Sequence, residues 1–262
     1  AIDGQDGVDD YYRGTCVYTK EIKKPDFKED ERVYLQFHGV NASAKVIINK
    51  VVVCTHHNGY STFRVDITDK LKDLNEIRVE VDNSINKKVY PQRADFTFYG
   101  GIYRDVELLI VGKDHFDLDY YGGIGLKVRT DVKDGRGIVH IKSFTNVENL
   151  TRAGLKVSLE LLDEEGQLVA SGEGLDTSLK VANPRLWNGR KDPYLYRLRA
   201  RLKRGETVID EVGCNCGIRT FSIDPDKGFF LNGESYPLRG VSRHQDWKGI
   251  GNAISHKHME ED

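Results

Sequence analysis

Short apolar runs, some of them alternating with polar residues, recur along residues 32–112. They are rich in Val, Ile, Phe and Tyr and are bounded by Gly, Asn and Asp, a composition typical of β-strands between turns. This pattern predicts strands at residues 32–40, 44–53, 61–68, 75–83 and 104–112. Within the second stretch, Asn49 and Lys50 predict a tight hairpin turn. Several strands at this spacing favour an antiparallel sandwich.

A second series of strands follows a polar break near residue 114. Residues 125–147 and 155–174 each predict two strands joined by a turn, and residues 194–223 predict three more. About seven strands in roughly 110 residues is the size of an immunoglobulin-like sandwich. The sequence therefore predicts an all-β protein with two sandwich domains, at residues 1–113 and 114–222.

The pattern changes after Ser222. Residues 229–241 predict a hairpin whose turn lies at Asn232, Gly233 and Glu234 and whose second half, residues 236–241, is a strand leading into a polar loop. The last residues resemble the first turn of a helix. Residues 223–262 are too few for a domain of their own, so the pattern predicts the truncated opening of a third one.

The composition is that of an ordinary globular protein, with 39% hydrophobic residues, 31% charged residues and a net charge of −2. This balance predicts no basic patch for nucleic acid or for an anionic membrane surface. No apolar run reaches 18 residues, so no membrane span is expected. We therefore expect neutral or mixed partners, no nucleic acid and no membrane.

Four cysteines occur in the chain. Cys214 and Cys216 fall on one face of a predicted strand, and Cys54 stands close to His56 and His57, but further metal ligands at the expected spacing are missing in both places. Reduced thiols are the favoured interpretation, and a metal at either place is the alternative. Reduced thiols and the lack of an apolar leader predict a cytoplasmic protein.

Four stretches resemble family 2 of the glycoside hydrolases. They are "HHNGYSTFRVDIT" (residues 56–68), "DFTFYGGIYRDVELL" (95–109), "PRLWNGRKDPYLYRLRARL" (184–202) and "FFLNGESYPLRGVSRHQD" (229–246). Each is moderately specific alone, and all four stand in the order of the family. The resemblance implies a jelly-roll sugar-binding sandwich, an immunoglobulin-like sandwich and, at residues 223–262, a truncated first segment of a (β/α)8 barrel.

The resemblance also implies a reaction. It points to a retaining, exo-acting hydrolase, most similar to β-galactosidases, with β-glucuronidases as the second choice. Such enzymes use two carboxyl groups about 5–5.5 Å apart. The family carries both on later strands of the barrel, so we expect no catalytic residue in this chain and no hydrolysis by the chain alone.

Two substrate-binding residues are implied by the resemblance. His244 matches the family's histidine at the subsite of the cleaved sugar, where a neutral imidazole hydrogen-bonds a hydroxyl. Asp95 stands six residues before Gly101 and matches an aspartate that binds sugar hydroxyls and, in some β-galactosidases, a sodium ion. No cofactor is expected in the chain itself, whereas sodium or magnesium is expected in a full-length enzyme.

Further residues are expected around that subsite. Arg243 and Asp246 flank His244 just past the predicted barrel strand. Arg239 is a guanidinium inside that strand, where a buried charge has to be paired. Arg104 is interpreted as part of an internal ion pair or as a loop anchor. Aromatic faces of the kind that stack on sugar rings are offered by Phe96, Phe98, Tyr99 and Tyr103. Because side chains alternate along a strand, half of the four are expected in the core.

Two hypotheses from different classes remain open. The chain is either part of an enzyme that acts on a galactoside or another β-glycoside, with a homo-oligomer as one arrangement, or a free-standing module that binds carbohydrate or protein without chemistry. Residues 223–262 favour the enzyme, because a binding module has no use for the first strand of a barrel. Gln245 and Trp247 stand where relatives often have Glu and Arg, which leaves the choice of sugar undecided.

Overall fold

The computed structural model describes residues 12–90 and 96–261. The chain forms two compact units. The first unit comprises Ala1–Val111 together with Ser242–Asp262, and the second unit comprises Gly112–Val241. Residues 223–262, predicted as one segment, are thus divided between the two units at Val241.

The first unit is built from nine strands, one 3-10 helix (Thr68–Lys70) and one short α-helix in its described part. Three antiparallel sheets have the strand orders β1-β7-β4-β5, β6-β2-β9 and β3-β8. The strands are β1 (Thr15–Lys23), β2 (Glu31–Phe37), β3 (Val40–Asn41), β4 (Ser43–Ile48), β5 (Val51–His57), β6 (Phe63–Asp66), β7 (Leu74–Asp82), β8 (Gly101–Ile102) and β9 (Val106–Gly112), and the helix is α1 (His256–Glu261).

The core of the first unit follows from the alternation of apolar residues along its strands. Val33, Leu35 and Phe37 of β2 are buried, as are Val46 of β4 and Val79 of β7, and they belong to one continuous cluster. Strands β4 and β5 are joined by the predicted hairpin turn. Asn49 and Lys50 both have positive φ, at 50° and 70°, as a tight two-residue turn requires.

The second unit has ten strands in three antiparallel sheets, of order β10-β11-β14, β13-β12-β15-β16 and β17-β18-β19. The strands are β10 (Leu126–Lys133), β11 (Arg136–Ser143), β12 (Leu155–Leu162), β13 (Leu168–Glu173), β14 (Asp176–Ala182), β15 (Tyr196–Arg204), β16 (Thr207–Cys216), β17 (Phe221–Asp224), β18 (Gly228–Leu231) and β19 (Glu234–Ser235).

The first two of these sheets face each other through their apolar residues. Leu159 of β12 and Leu198 of β15 are fully buried, and Ile141 of β11 and Leu179 of β14 belong to the same cluster. Every second residue of these strands points into that core, which is the pattern of a β-sandwich. The all-β class and the two predicted β-sandwiches are confirmed.

The predicted barrel strand is not a strand. Strands β18 and β19 pair across Asn232 and Gly233, so the predicted turn is one residue shorter and Glu234 lies in β19. Residues 236–246 have no regular secondary structure. A parallel barrel strand forms only between neighbouring strands, and no described strand pairs with this segment. Arg239 is therefore exposed, and its prediction as a buried, paired guanidinium is wrong.

Two strands lack a clear signal in the sequence. Strand β1 pairs with β7 over its whole length, from Thr15 with Asp82 to Lys23 with Leu74. It has little apolar alternation, and almost all of it is exposed. Strand β14 buries only Leu179 and Val181. No helix in the described residues is long and apolar enough to cross a membrane.

Candidate functional site

A cleft of about 260 Å³ lies in the first unit, between the loop that precedes β9 and the segment that precedes α1. The volume is slightly below the roughly 300–1,000 Å³ of pockets for drug-sized ligands, which suits a ligand of one sugar ring. Ten residues line it: Tyr60, Phe96, Thr97, Tyr99, Tyr103, Arg243, His244, Gln245, Asp246 and Asn252.

One wall of the cleft is aromatic. Tyr60, Phe96, Tyr99 and Tyr103 all contribute to the lining. The Tyr103 hydroxyl donates a hydrogen bond of 2.8 Å to the carbonyl oxygen of Gly59, which fixes that ring. Burial raises the pKa of the Tyr103 hydroxyl, and the nearby Arg104 guanidinium lowers it by less. The hydroxyl therefore stays neutral at physiological pH.

Phe98 is the exception among the predicted aromatic residues. Its ring lies outside the cleft, beneath the guanidinium of Arg13 at 5.7 Å. Residues 96–100 form an irregular loop, so the side chains do not follow the simple alternation of a strand. Three of the four predicted aromatic side chains therefore share the cleft.

The aromatic loop is held by two buried asparagines. Asn41 donates from Nδ2 to the carbonyl of Tyr99 at 2.6 Å, and Asn83 donates from Nδ2 to the carbonyl of Phe98 at 3.1 Å. Glycine is required where the loops approach these side chains: a Cβ on Gly59 would lie 2.1 Å from Asn41 Oδ1. The wall thus rests on side-chain hydrogen bonds rather than on a strand ladder.

The opposite wall is polar and comes from residues 243–246. His244 and Gln245 are exposed and Asp246 is half-buried, in a segment without regular secondary structure. The segment is closed by a short loop in which the Trp247 N–H donates to the carbonyl of Gly251 at 2.9 Å. This wall offers a guanidinium, an imidazole, an amide and a carboxylate to a polar ligand.

Arg104 joins the two walls. Its Nη1 donates hydrogen bonds to the carbonyl oxygens of Tyr103, at 2.9 Å, and Asn252, at 2.6 Å. Its guanidinium lies over the Tyr103 ring, 4.8 Å from the ring centroid. Of the two roles proposed for Arg104, the loop anchor matches this geometry.

The structure brings three predicted site residues together, since Arg243, His244 and Asp246 all line the cleft. Asp95, predicted to bind sugar and sodium, lies outside the described residues. The sequence reasoning missed Tyr60, Thr97 and Asn252 as lining residues and missed the supporting Asn41 and Asn83. Tyr60 lies in a stretch that the family resemblance covers, which is the one signal that could have pointed to it.

At the two places where a metal is the alternative interpretation, Cys214 with Cys216 and Cys54 with His56 and His57, the cysteines pack against apolar side chains. Cys214 and Cys216 face the core of the second unit, where burial, with Cys214 as neighbour, raises the pKa of the Cys216 thiol to about 12. His56 stacks on the Phe63 ring, with 4.1 Å between ring centroids, and burial lowers its pKa. Within residues 12–90 and 96–261 no group of three or more His, Cys, Asp or Glu could hold a metal ion.

A larger cleft, of about 460 Å³, lies in the second unit beside the edge strand β10. Its lining includes Arg129, Arg219 and the exposed Phe221. None of the predicted site residues within the described part of the chain lines it. Size alone does not identify a functional site, and the smaller cleft is the better candidate because predicted polar and aromatic residues converge there.

Two family models match the chain. The model described as "Glycosyl hydrolase 2 galactose-binding domain-like" matches residues 5–111, and the model described as "Glycosyl hydrolases family 2" matches residues 124–219. The first covers most of the first unit, including the aromatic wall, and the second covers the sandwich of the second unit.

Three relatives show how far the similarity extends. A β-glucuronidase of Bacteroides fragilis is 38% identical over 278 residues, which is 100% of this chain and 39% of the relative. A β-galactosidase of Thermoanaerobacter pseudethanolicus is 30% identical over 93% of this chain and 33% of the relative. The crystal structure of an FMN-binding β-glucuronidase from Facaelibacterium prausnitzii L2-6 matches with a TM-score of 0.90 and 40% identity, over 99% of this chain and 41% of that one. The chain therefore spans only about two fifths, or less, of each relative.

Proposed function

Because the chain belongs to family 2 of the glycosyl hydrolases, we propose that it forms part of a retaining, exo-acting β-glycoside hydrolase and that its cleft helps to hold the terminal sugar. The observation that carries this proposal is the meeting of His244 with the aromatic wall in one cleft of the first unit. The two sides belong to segments more than a hundred residues apart in sequence, and together they offer both kinds of contact that a sugar needs.

The aromatic wall supplies the apolar contact. One face of a pyranose carries C–H groups, and a ring of Tyr or Phe offers a flat apolar surface to it. Tyr99 and Tyr103 are half-buried and so are held in place before a ligand arrives. A rigid wall reduces the entropy lost on binding.

The polar wall supplies the hydrogen bonds. We assign the His244 imidazole to a ring hydroxyl, and such a bond strengthens as charge develops in the transition state. Asp246 accepts hydrogen bonds through its carboxylate, and Gln245 both donates and accepts. Each of these groups binds and orients the sugar, and none of them is assigned a bond-breaking step.

The two carboxyl groups of the reaction are not assigned to this chain. A retaining mechanism needs an acid and a nucleophile about 5–5.5 Å apart. Among the described lining residues the cleft has one carboxylate, Asp246. We propose that the pair lies in another part of a longer protein and that the chain alone hydrolyses nothing. A sodium ion bound by Asp95 stays part of the proposal, and no step is assigned to it.

For the sugar, we propose a terminal β-D-glucuronide. Two relatives that are 38% and 40% identical to the chain are described as β-glucuronidases. A β-D-galactoside is the second candidate, because a relative with 30% identity is described as a β-galactosidase. The two sugars differ in the C6 carboxylate and in the orientation of the C4 hydroxyl, so a direct comparison of substrates separates them.

The experiment compares three proteins: the full-length protein, its His244→Ala variant and a His140→Ala control. His140 lies on β11 in the second unit, where it hydrogen-bonds Ser178, and it is far from the cleft in sequence. With p-nitrophenyl β-D-glucuronide and β-D-galactoside, we expect kcat/KM to fall about 100-fold in His244→Ala, the size of a lost transition-state hydrogen bond. Equal activity of all three proteins would contradict the role of His244.

The same experiment tests the hydrolase itself. If the full-length protein cleaves neither sugar while the chain binds one of them by calorimetry, the free-standing binding module is the correct function. If the full-length protein cleaves the galactoside and not the glucuronide, the family role stands and the proposed sugar is wrong.

A further inference from the structure

Two asparagine side chains bind successive carbonyl groups beneath the aromatic wall. Asn41 reaches the carbonyl of Tyr99, and Asn83 reaches the carbonyl of Phe98. The two asparagines are 2% and 3% exposed, so water does not compete for these bonds. They come from different strands, because Asn41 ends β3 and Asn83 directly follows β7.

The backbone of residues 96–100 is not part of a described strand ladder. Residues 96–100 form no strand, and pairing begins only at Gly101, which lies opposite Asn41 in the two-residue strands β8 and β3. Buried backbone carbonyls need hydrogen-bond donors. The two side-chain amides take the place of the strand that would otherwise supply them.

Asn83 is itself held from several sides. Its Oδ1 accepts from the Gly14 N–H at 2.9 Å, its Nδ2 also donates to the carbonyl of Tyr12 at 3.0 Å, and its own carbonyl accepts from the Arg13 guanidinium at 3.1 and 3.2 Å. An amide with this many partners cannot shift without breaking several bonds. Its hydrogen bond to the carbonyl of Phe98 therefore restrains the position of the loop.

We propose that Asn41 and Asn83 are positioning residues of the cleft, which set the place of the Tyr99 ring and thereby the affinity for the sugar without touching it. This inference rests on the proposed function. A loop freed from one amide keeps its sequence and its rings but loses the fixed position of the wall, so ligand binding weakens while the reacting groups stay as they were.

Substitution by aspartate tests the direction of the hydrogen bond. Asn41→Asp and Asn83→Asp keep the shape of the side chain but turn the donor into an ionised acceptor that faces a carbonyl oxygen. A protonated carboxyl group can donate again. We therefore expect the rise in KM of both variants to shrink as the pH falls.

Asn75 offers a matched control in the same unit. It is 0% exposed, its Nδ2 donates to the carbonyl of Lys72 at 2.7 Å, and its Oδ1 accepts from Asn49 at 2.9 Å. It lies near the start of β7, and eight residues of strand place it about 26 Å from Asn83. Asn75→Asp thus removes a buried amide of the same kind at the opposite end of the same strand.

The test uses the full-length protein with its three aspartate variants. We expect KM for the better p-nitrophenyl glycoside to rise about tenfold in Asn41→Asp and Asn83→Asp, with kcat changed far less. In Asn75→Asp we expect KM to stay unchanged, although the urea midpoint of unfolding falls by a comparable amount. Equal KM values in all three variants, whether raised or unchanged, would overturn the inference.

If the full-length protein turns over neither substrate, that result counts against the proposed function alone. A second measurement then still tests the inference. Amide hydrogen exchange at Ile102 and Tyr103, whose N–H groups donate to Tyr18 and Gly39, should speed up about tenfold in the Asn41 and Asn83 variants and not in Asn75→Asp. Unchanged exchange at both amides in the Asn41 and Asn83 variants would overturn the inference.

Discussion

The guanidinium of Arg104 donates a hydrogen bond of 2.6 Å to the carbonyl of Asn252, a residue 148 positions later in the chain. The same guanidinium lies over the ring of Tyr103. A planar group with several donors can make both contacts at once, which a lysine cannot. This one side chain therefore connects the aromatic and polar walls of the cleft.

Replacing Arg104 should loosen the polar wall. In Arg104→Ala the carbonyl of Asn252 loses a charged donor worth about 1.5–3 kcal/mol, so the segment opens more often. We expect hydrogen exchange of the Trp247 and Ile250 amides, which are bonded within this segment, to become at least about tenfold faster. Mass spectrometry of peptides from residues 242–254 measures the change.

Two variants control that measurement. Arg185→Ala removes an arginine that pairs with Asp192 in the second unit, and it should leave the exchange near Trp247 as in the parent. Arg104→Lys keeps the charge but not the planar fork and should give an intermediate rate. If Arg104→Ala exchanges at the parental rate, the segment is held by other contacts.

Gly59 should tolerate no side chain. The Cβ of Gly59→Ala would lie 2.1 Å from Asn41 Oδ1, so Asn41 must move away from the carbonyl of Tyr99. Overpacking of this kind costs about 1–3 kcal/mol, which urea unfolding of the first unit measures. Gly240→Ala is the control, since a Cβ there meets nothing within 4 Å. Equal unfolding midpoints would show that the loop adapts.

The cysteines should react in the order of their exposure. Cys16 is exposed and Cys216 is buried, and burial, with the neighbouring Cys214, raises the pKa of the Cys216 thiol to about 12, so almost no reactive thiolate exists at neutral pH. Brief iodoacetamide labelling followed by mass spectrometry should modify Cys16 first and Cys216 last. In urea all four thiols should react alike, and rapid labelling of Cys216 in the folded protein would contradict its place in the core.

His56 should make stability depend on pH. Burial lowers its pKa below the ordinary 6.5 in the folded protein, so the unfolded chain binds more protons as the pH falls through about 6.5. The stabilisation is complete above that pH and decreases below it until the folded protein is protonated as well. The free energy of unfolding, measured from about pH 8 to about pH 5, should fall less steeply in His56→Asn than in the parent.

The carboxylate of Asp82 also makes stability depend on pH, but at a lower pH than His56 does. Hydrogen bonds from Ser84 and Thr15 lower the pKa of Asp82 from 3.8, so the stabilisation from its carboxylate is lost only as the pH falls below about 3.8. The slope between about pH 7 and pH 5 therefore reports on groups such as His56. A parental slope in His56→Asn would assign that pH dependence to another group.

Local patterns in the sequence were sufficient for most of the architecture. Residues such as Val33, Leu35 and Phe37 alternate because one face of a strand is buried, and this holds whichever strand lies next to it. A tight two-residue turn requires positive φ at both central residues, and Asn49 and Lys50 both adopt it. The family resemblance added His244, Arg243 and Asp246, all of which line the cleft.

The failures have a common physical origin. Residues 236–241 have the composition of a strand, but a strand exists only with hydrogen-bonded neighbours, so Arg239 is exposed instead of buried and paired. Strand β1 shows the reverse: it has little apolar alternation and forms because its backbone pairs with β7. In both cases the partner, and not the local sequence, decides the structure.

The sequence by itself determined which residues are apolar, where the chain turns and which motifs it shares with a family, because each of these depends on near neighbours along the chain. Only the tertiary structure decided that Tyr99 and His244 share a cleft and that Asn41, Asn83 and Arg104 hold its walls. Those contacts join residues far apart in sequence, through hydrogen bonds whose geometry exists only once the strands have assembled.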